Sequence, residues 1–439
     1  MYFGVPPVKT PGGLPVHAVL GFARALLEVY KELGGDPTQP ESGAEGPAMV
    51  VVFDAPVATF RHGLFADYKG GRDEIPADLP AQIRLIKRLV DTMGWVRLEV
   101  AEVEAELESK AGELEALLAS VPNPAHPSVP DGNSEEENEI VRVVGEVPSF
   151  SFPPRDQETL GELLDVFDLK RGARTSGSRF VYLKRDAALI EFALVRYALS
   201  KAVSYGFVPV VPPVLVREAA MYGTGFFPAD KFEFYSVPED GLYLVGTAEV
   251  PLASLHAGEI LEAESLPLRY VGFSTCFRRE AGTYGKDTRG AFRVHQFDKV
   301  ELFSFTDANS SWEEHEFLLA IEEELVSGLG LPYQVVNVCA GELGASAAKK
   351  YDIEVWLPSE GRYREATSCS NCTDFQARRL GVRYRTPSGT ALCHTLNGTA
   401  VACTRWIVFI LENFQEEDGS VVIPKPLQEF VGRERIEPI

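Results

Sequence analysis

Basic residues are scarce in this sequence, and long hydrophobic runs are missing. The 439 residues include 42 Lys and Arg against 64 Asp and Glu, which leaves a formal net charge of −22. Nucleic-acid binding by general electrostatics needs clustered Lys and Arg, so any nucleic-acid partner must meet a local basic patch. No window approaches the ~18 uninterrupted apolar residues of a membrane span, so we expect no membrane partner.

Cysteines and phosphate-loop motifs are also few. Six Cys are scattered along the chain and form no disulfide framework, which is typical of a reducing compartment. The N-terminus lacks the basic and apolar regions of a secretory signal, so the sequence predicts a cytoplasmic protein. Cys369 and Cys372 form a CxxC without a second pair at zinc-finger spacing, and no zinc is expected. Neither GxGxxG nor GxxxxGK[ST] stands where a phosphate loop would need it.

The chain changes character near residue 100. The first hundred residues have the pattern of a compact α/β piece, with an N-terminal helix, a buried strand at 49–53, interleaved aromatic and basic side chains at 59–72, and a helix at roughly 78–93. From Ala101 the sequence becomes acidic, and apolar residues at heptad-like spacing predict a short coiled-coil-like stub. Prolines then break the pattern, and residues 123–144 are predicted to be a solvated acidic linker.

Strands and helices alternate from residue 158 onward without a regular βαβ rhythm. The apolar patterns predict a helix at 186–205, strands at 242–245, 267–277, 291–305 and 332–338, and a strand that becomes a helix within 395–414. Such a mixture is typical of an antiparallel α+β fold and not of a Rossmann fold.

The densest polar cluster lies between Thr275 and Phe297. Two apolar-alternating segments, joined by a loop of Gly, Asp, Lys and Thr, carry Arg278, Arg279 and Glu280. On a strand, Arg278 and Glu280 would share one face, where a guanidinium can form paired hydrogen bonds with a phosphate or a carboxylate. The alternative is a surface hairpin with ion pairs between its strands.

Three further polar positions stand out against their surroundings. Glu301 lies on the apolar strand VELFSF, where a half-buried carboxylate needs a partner, and both a structural salt bridge and a ligand contact are open. The segment from Glu365 to Ser368 offers hard oxygen donors of the kind that Mg²⁺ prefers. Arg405 follows a Gly/Ala/Thr-rich stretch and opens an apolar helix.

Together these segments resemble the bacterial-type seryl-tRNA synthetases, a family of class II aminoacyl-tRNA synthetases. The resemblance spans about three quarters of the chain and rests on GFVPVVPP at 206–213, GTAEVPL at 246–252, STCFRREAGTYGKDTRGAFRVHQFDKVE at 274–301, CAGELGASAAKKYDIEVWLP at 339–358, SCSNCTDFQARR at 368–379 and HTLNGTAVACTRWIVFILENFQ at 394–415. It implies a class II antiparallel sheet flanked by helices. It also implies ATP-dependent activation of L-serine to seryl-adenylate and transfer to tRNA(Ser) and tRNA(Sec), by a homodimer formed through 206–213.

The resemblance further implies roles for individual residues. Arg278 is expected to hold the α-phosphate and the serine carboxylate, and Arg405 the γ-phosphate, as the two catalytic arginines. Glu365 and Ser368 are expected to bind Mg²⁺ within the ATP site, and Phe297 to stack on adenine. The other implied contacts are Thr247, Ala248, Glu249, Glu301 and Thr399 for serine, and Arg279, Glu280, Val294, His295, Gln296, Ala366 and Thr367 for ATP.

The chemistry of the reaction agrees with this assignment. The serine carboxylate that attacks the α-phosphorus is already ionised, so positioning and charge neutralisation matter more than an activating base. A buried carboxylate that expects a hydroxyl, as Glu301 is expected to, is left unpaired by alanine. Sites of that kind can reject the analogue without the hydroxyl by about 10⁴–10⁵-fold.

The N-terminal part resembles a different family, the 5′-nuclease domain of bacterial A-family DNA polymerases. The matching stretches are TPGGLPVHAVLGFARALL at 10–27 and VVVFDAPVATFRHGLFADYKGGR at 50–72. Asp54 matches one carboxylate of the cluster that such a nuclease needs for two metals, and the other acidic positions are not found. We therefore expect neither nuclease activity nor DNA binding, although a weak phosphate contact is open for the residues that match the nuclease arch: Arg61, His62, Tyr68, Lys69 and Arg72.

The predicted organisation has four parts: a truncated nuclease-like fragment (1–100), a remnant of the family's tRNA-binding helical arm (101–122), the linker (123–144) and a catalytic domain (145–439). The junction is typical of a gene fusion or of an engineered chimera. The stub carries six acidic residues and one basic residue, Lys110, so we expect serine activation to be retained and tRNA charging to be impaired. A non-catalytic nucleic-acid-binding protein is the alternative, and the presence of Arg278, Glu301, Glu365 and Arg405 favours the ligase.

Overall fold

A computed structural model of the chain describes residues 19, 22–23, 25–26, 50–53, 79–92, 96–99, 109–114, 117–118, 120–281 and 290–439. The chain divides into two compact units, residues 1–118 and 119–439.

The first unit contains two parallel strands and a helix between them in the chain. β1 (Val50–Phe53) pairs with β2 (Val96–Glu99), and α1 (Leu79–Thr92) precedes β2. Every fourth residue of α1 is buried, from Gln82 through Ile86 to Val90, so one face of the helix packs inward. The predicted strand and the predicted helix at 78–93 are confirmed, whereas β2 was not predicted from the sequence.

The described residues cover only some of the other predictions for this unit. The described residues of the stub at 109–114 and 117–118 are helical, as predicted. Asp54 and the aromatic and basic segment at 59–72, with all five residues matched to the nuclease arch, lie outside the described residues.

The second unit has many short elements around a few long ones. Its strands are β3 (Glu139–Val144), β4 (Phe167–Asp168), β5 (Tyr182–Leu183), β6 (Val208–Val210), β7 (Leu215–Arg217), β8 (Ser236–Val237), β9 (Leu242–Leu244), β10 (Ile260–Leu261), β11 (Leu268–Phe277), β12 (Gln296–Thr306), β13 (Tyr333–Asn337), β14 (Lys349–Leu357), β15 (Arg362–Asn371), β16 (Arg383–Thr386), β17 (Gly389–Leu392), β18 (His394–Ala402), β19 (Val421–Val422) and β20 (Arg435–Ile436). Its helices are α2 (Gln157–Leu163), α3 (Leu169–Ser176), α4 (Arg185–Ser204), α5 (Glu218–Thr224), α6 (Glu249–Ala253), α7 (Ser311–Gly328), α8 (Phe375–Leu380), α9 (Cys403–Asn413) and α10 (Lys425–Val431).

A sheet of eight strands, counted over the described residues, forms the centre of this unit. Its strand order is β3, β13, β14, β15, β18, β12, β11 and β6. Every neighbouring pair is antiparallel except β11 and β6, which run parallel. The predicted α+β fold with a mostly antiparallel sheet flanked by helices is therefore confirmed.

Alternation along the central strands separates a helix-covered face from a face that carries polar groups. Val300 and Leu302 of β12 join the large apolar core that includes residues of α4, α7 and α9. Lys299 and Glu301, which point the other way, line a cavity. Beside that cavity, α6 and α8 pack on Phe303 and other residues in a second apolar cluster.

The segment predicted to be a solvated linker, 123–144, is part of the second unit. Asn123 donates from Nδ2 to the carbonyl oxygens of Ser346 (2.9 Å) and Cys372 (2.8 Å), and β3 extends the sheet beside β13. The linker prediction is wrong because acidic composition reports side-chain exposure, which is present here, and not the pairing of the backbone. The start of the catalytic domain predicted at residue 145 falls after these contacts.

β12 begins at Gln296 and not at the predicted residue 291. The backbone N–H groups of Gly290 and Ala291 are instead bound by side chains of α2, at 3.1 Å from Glu158 Oε1 and 2.7 Å from Gln157 Oε1. Because these N–H groups bond to α2, they do not enter a strand ladder. Over the described residues, we find no helix with the length and apolar character needed to cross a membrane.

Candidate active site

A cavity of about 430 Å³ lies on the polar face of the central sheet. Its walls come from β12, β14, β15 and β18, from residues that follow β11, and from the start of α9. Thirteen of the predicted site residues line it: Thr247, Glu249, Arg278, Glu280, Val294, Phe297, Glu301, Glu365, Ala366, Thr367, Ser368, Thr399 and Arg405.

Four predicted site residues do not line the cavity. Ala248 is fully buried in the second apolar cluster. The guanidinium of Arg279 lies over the ring of Tyr235, 5.6 Å from its centroid, and Gln296 is exposed. His295 Nδ1 lies 2.9 Å from the carbonyl oxygen of Arg278. A role in binding for these four side chains stays a prediction.

Arg278 is the lining cation that has no ion pair within the described ranges. Its Nε donates to the carbonyl oxygen of Gly246 (3.1 Å), and its guanidinium lies 5.5 Å from the centroid of the Phe297 ring. Each of the other four lining cations has an acidic partner: Arg293 with Glu280 (2.7 Å), Lys299 with Glu301 (2.5 Å), Lys350 with Asp352 (3.4 Å) and Arg405 with Glu365 (3.7 Å). The remaining N–H donors of Arg278 are therefore available to an anionic ligand.

A turn, and not a strand, brings Arg278 and Glu280 to the same cavity. β11 ends at Phe277, and Glu280 has a φ of 50°, which a residue other than glycine rarely adopts. The expectation that both residues share a strand face is therefore wrong, although they do face the same space. A positive φ in a residue other than glycine costs conformational free energy, and such conformations are found preferentially at functional sites.

Arg405 is anchored on β15 next to Glu365. Its Nη1 donates to the Glu365 carbonyl oxygen at 2.9 Å, and the indole N–H of Trp406 donates to the carbonyl oxygen of Ala366 at 3.3 Å. Two side chains thus fix the first turn of α9 on the strand. Burial by itself would raise the pKa of Glu365. The positive charges of Arg405 and Lys350 have the larger effect and hold the pKa of this carboxyl below its usual value.

Glu301 is a buried carboxylate with two protein partners on one oxygen. Its side chain is 2% exposed, Lys299 Nζ lies 2.5 Å from Oε2, and Thr247 Oγ1 donates to the same oxygen at 3.3 Å. Burial raises the pKa of Glu301, while Lys299 and Thr247 oppose that change. The partner that the sequence analysis required is therefore the lysine two residues earlier on the same strand face.

Two more carboxyl groups lie next to Glu301. Glu249 of α6 accepts from Gln376 Nε2 (2.7 Å) and Asn397 Nδ2 (3.1 Å), and burial together with the charge of Glu301 raises its pKa to about 7. Glu322 of α7 is fully buried and accepts from the Thr367 hydroxyl, and burial raises its pKa well above the usual value. Glu301 is thus the one of these three whose carboxylate is directly bonded to a cation.

Glu365 and Ser368 offer a donor set that suits Mg²⁺ bound together with a polyphosphate. Both line the cavity, and the lowered pKa keeps Glu365 ionised. Mg²⁺ commonly uses one or two carboxylates and completes its octahedron with substrate phosphates and water. No group of three or more His, Cys, Asp or Glu side chains could hold a metal alone, as far as the described residues go. The residues therefore fit an ion that arrives with a ligand.

Several lining residues received no role in the sequence analysis: Phe226, Phe292, Arg293, Lys299, Glu342, Lys350 and Asn397. Lys299 could have been predicted, because side chains two residues apart on a strand lie on the same face and Glu301 was already assigned to the site. No local signal indicates the contact of Phe292, whose ring lies 4.4 Å from the Arg364 guanidinium carbon and 4.9 Å from that of Arg405. Those three residues come from three separate segments.

Sequences of known proteins match the chain over most of its length. The family described as the tRNA synthetase class II core domain (G, H, P, S and T) matches residues 232–414. The serine–tRNA ligase of Thermobifida fusca is 54% identical over 342 residues, which cover 78% of this chain and 81% of that protein. The serine–tRNA ligase of Mycobacterium tuberculosis is 50% identical over 365 residues, 83% of this chain and 85% of that protein.

Solved structures give the same result for the fold. Seryl-tRNA synthetase from Pyrococcus horikoshii complexed with ATP has a TM-score of 0.75 at 38% identity, covering 96% of this chain and 93% of that one. The serine–tRNA ligase from Naegleria fowleri in complex with AMP has a TM-score of 0.72 at 30% identity, covering 94% and 91%. Residues 1–106 match the 5′-3′ exonuclease N-terminal resolvase-like domain, so both resemblances are confirmed. The chain belongs to the serine–tRNA ligase family of class II aminoacyl-tRNA synthetases.

Proposed function

We propose that the chain is an ATP-dependent serine–tRNA ligase whose cavity activates L-serine and passes the seryl group to tRNA. Its relatives are serine–tRNA ligases, and two similar structures contain ATP or AMP. The observation that carries the proposal is the convergence of Arg278, Glu301, Glu365 and Arg405 on one cavity. A non-catalytic binding protein would have no need of this complete set.

Arg278 and Arg405 are the catalytic residues of the activation step. A carboxylate oxygen of serine attacks the α-phosphorus, the bond to the bridging oxygen breaks, and pyrophosphate leaves with the electron pair. Arg278, which has no ion pair among the described residues, holds the α-phosphate and the serine carboxylate in line. Arg405 neutralises the γ-phosphate of the leaving group, and preorganised donors of this kind usually make the largest single contribution to catalysis.

The two substrates occupy different parts of the cavity. Phe297, with Val294 and Glu280 beside it, receives the adenine ring. Glu301, Thr247 and Thr399 receive serine, whose hydroxyl donates to the buried Glu301 carboxylate. Alanine leaves that carboxylate desolvated and without a donor, which is the basis for its rejection.

Glu365 and Ser368 are the residues that would hold Mg²⁺ with the phosphates of ATP. The ion would supply further neutralisation of phosphate charge. On the protein side, the lowered pKa keeps Glu365 an ionised oxygen donor, and its contact with Arg405 fixes the strand that carries it.

Serine-dependent exchange of pyrophosphate into ATP tests the activation step. The purified full-length chain should catalyse exchange with serine, and alanine and threonine should support it orders of magnitude less well. Pyrophosphate exchange that does not depend on which amino acid is added would contradict the proposal. The absence of exchange by a folded protein that binds ATP would also contradict it.

We also propose that the chain is a homodimer through residues 206–213. Val208 is 53% exposed and Val211 is 83% exposed, and the neighbouring helix α4 exposes Leu189, Phe192 and Val203. A contiguous apolar patch on a folded protein commonly marks an interface. Sedimentation at micromolar concentration should show a dimer, and a monomer alone would refute the interface.

The tRNA step is proposed to be weaker than in relatives that have a full helical arm. The described part of the stub offers Lys110, which is already paired with Glu113 at 3.1 Å, and so presents no free cation to phosphate. We expect a raised KM for tRNA in aminoacylation beside normal serine activation. If the full chain charges tRNA tightly and deletion of residues 1–100 abolishes that charging, the nuclease-like part is a tRNA-binding domain and this proposal is wrong.

A further inference from the structure

The serine pocket contains more carboxyl groups than its function requires. Glu301 and Glu249 line the cavity, and Glu322 lies under it, fully buried. The carboxylate form is the stronger acceptor for the serine hydroxyl, because a protonated acid presents a donor and keeps only part of its acceptor capacity. Something must therefore decide which of the three carboxyl groups is ionised.

Lys299 is placed to make that selection. Its ammonium lies 2.5 Å from Glu301 Oε2, with the lysine side chain 8% exposed and the glutamate side chain 2% exposed. Glu249 has only amide donors and Glu322 only a hydroxyl donor within the described structure. An ion pair is a stronger stabiliser of the charged form than a neutral hydrogen bond, so the proton is expected to stay off Glu301.

The same contact also orients the carboxylate. Lys299 and Thr247 both reach Oε2, so Oε1 has no hydrogen-bond partner among the residues that the structure describes. One oxygen is thus held by the protein while the other is left for a ligand in the cavity. A serine hydroxyl can use Oε1 without displacing either protein contact.

We propose that Lys299 is a positioning residue for serine selectivity, which acts by holding Glu301 as an oriented carboxylate. This inference rests on the proposed serine activation and adds a determinant that the sequence resemblance did not assign. The titratable and charged groups that face Glu301 are Lys299 on its own strand, Cys276 and Arg278 on and after β11, Glu249 on α6, Glu322 on α7 and Cys369 on β15.

The test measures pyrophosphate exchange by the full-length chain between pH 6.5 and 8.5, with the wild type at each pH as reference. Lys299→Met should raise the serine KM at pH 7 by roughly 10- to 100-fold, the range expected for a hydrogen bond to a charged group. The KM should then fall toward wild type as the pH rises and Glu301 ionises. The ATP KM should change less than about twofold, and the preference for serine over alanine should narrow.

Companion variants separate this role from others. Lys299→Arg should restore most of the serine affinity. Glu301→Gln should raise the serine KM without the pH dependence, and adding Lys299→Met to it should have little further effect, because the lysine acts through the glutamate. Lys231→Met is the matched control, since it removes a lysine that lies 2.5 Å from Glu218, neither residue lines the cavity, and its serine KM should keep the wild-type pH profile.

Each unfavourable result has a distinct meaning. A wild-type protein without serine-dependent exchange overturns the proposed function itself. A Lys299→Met protein with wild-type serine KM, with an equal rise in the ATP KM, or with an effect that multiplies that of Glu301→Gln overturns only the role of Lys299. Thermal unfolding and the ATP KM show whether each variant is folded. If Lys299→Met does not fold, the serine KM and the pH profile of Lys299→Arg test the role of Lys299 instead.

Discussion

Gly398 of β18 occupies a position where any side chain would collide with a buried acid. A Cβ built on Gly398 would lie 2.5 Å from Glu322 Oε1 and 3.9 Å from Cys369 Sγ. The Glu322 side chain is fully buried and its other oxygen is bonded to the Thr367 hydroxyl. Gly398→Ala is therefore a sharp test of whether β18 and α7 pack as closely as the structure shows.

The magnitude follows from how the collision can be relieved. Rotation of the Glu322 carboxyl would remove the overlap but would break the hydrogen bond from Thr367, at about 0.5–1.5 kcal/mol. Overpacking of a well-packed core costs typically ~1–3 kcal/mol in addition. We expect Gly398→Ala to lower the free energy of unfolding of the second unit by about 2–4 kcal/mol, enough to lower its melting temperature by roughly 4–8 °C.

Gly398→Ala should weaken serine binding as well as stability, because Asn397 and Thr399 flank Gly398 and line the cavity. The serine KM should rise more than the ATP KM. Gly344→Ala is the matched control, since a Cβ there meets nothing within 4 Å, and its effect should stay within about 0.5 kcal/mol.

Urea unfolding and thermal scans of Gly398→Ala, Glu322→Ala and the double variant complete the test. If the collision is the cause, the double variant should be more stable than the sum of the single effects predicts, by at least about 1 kcal/mol. Strict additivity, or a Gly398→Ala protein as stable as wild type, would refute the close approach of β18 to Glu322.

Three further predictions concern single side chains. Arg278→Ala should lower serine-dependent exchange by about 10²–10³-fold with little change in melting temperature, and retained activity would refute its assignment. Glu301→Ala should reduce kcat/KM for serine by an amount equivalent to about 1.5–3 kcal/mol and affect alanine less, so equal losses would show that Glu301 does not bind the hydroxyl. Burial and the charge of Asp298 raise the pKa of Glu191 to about 7 from an ordinary value of 4.5. The unfolded chain therefore releases this proton more readily, and the stability that Glu191 contributes is lost as the pH rises from about 4.5 through 7. Urea unfolding of Glu191→Gln should show a decline that is smaller by about 1–3 kcal/mol, and parallel curves for the two proteins would contradict the raised pKa of Glu191 in the folded protein.

Periodicity predicted some of the elements that carry the chemistry, but not β15, which carries Glu365 and Ser368. The strand over 267–277 and the strand-to-helix change within 395–414 were both found from apolar patterns, because these elements are long and bury one face. The apolar neighbours of Glu301 in the sequence also indicated a half-buried carboxylate that would need a partner. These are local properties, which a single sequence records directly.

Contacts between distant segments could not be read in the same way. Asn123 bonds to residues more than 200 positions away, whereas the prolines around it and the acidic residues from Asp131 onward indicated only a solvated linker. The turn at Glu280 is set by the backbone after β11 and by the ion pair with Arg293, neither of which a strand pattern reveals. Contacts of this kind, together with those of α2 to Gly290 and Ala291, therefore decided the places where the predictions from the sequence were wrong.

The chain and ATP are both negatively charged, and the cations of the cavity offset this repulsion at the site. A protein with a net charge of −22 repels ATP at long range, so the binding free energy has to come from within the site. Among the lining residues, acidic partners hold four of the five cations in place and leave Arg278 alone unpaired in the described structure. The paired cations are oriented before the substrate arrives, and the unpaired one can bind the α-phosphate without breaking an ion pair. Because the acidic partners set these positions, replacing Glu280 or Glu365 should impair ATP binding even though each change removes a negative charge from the site.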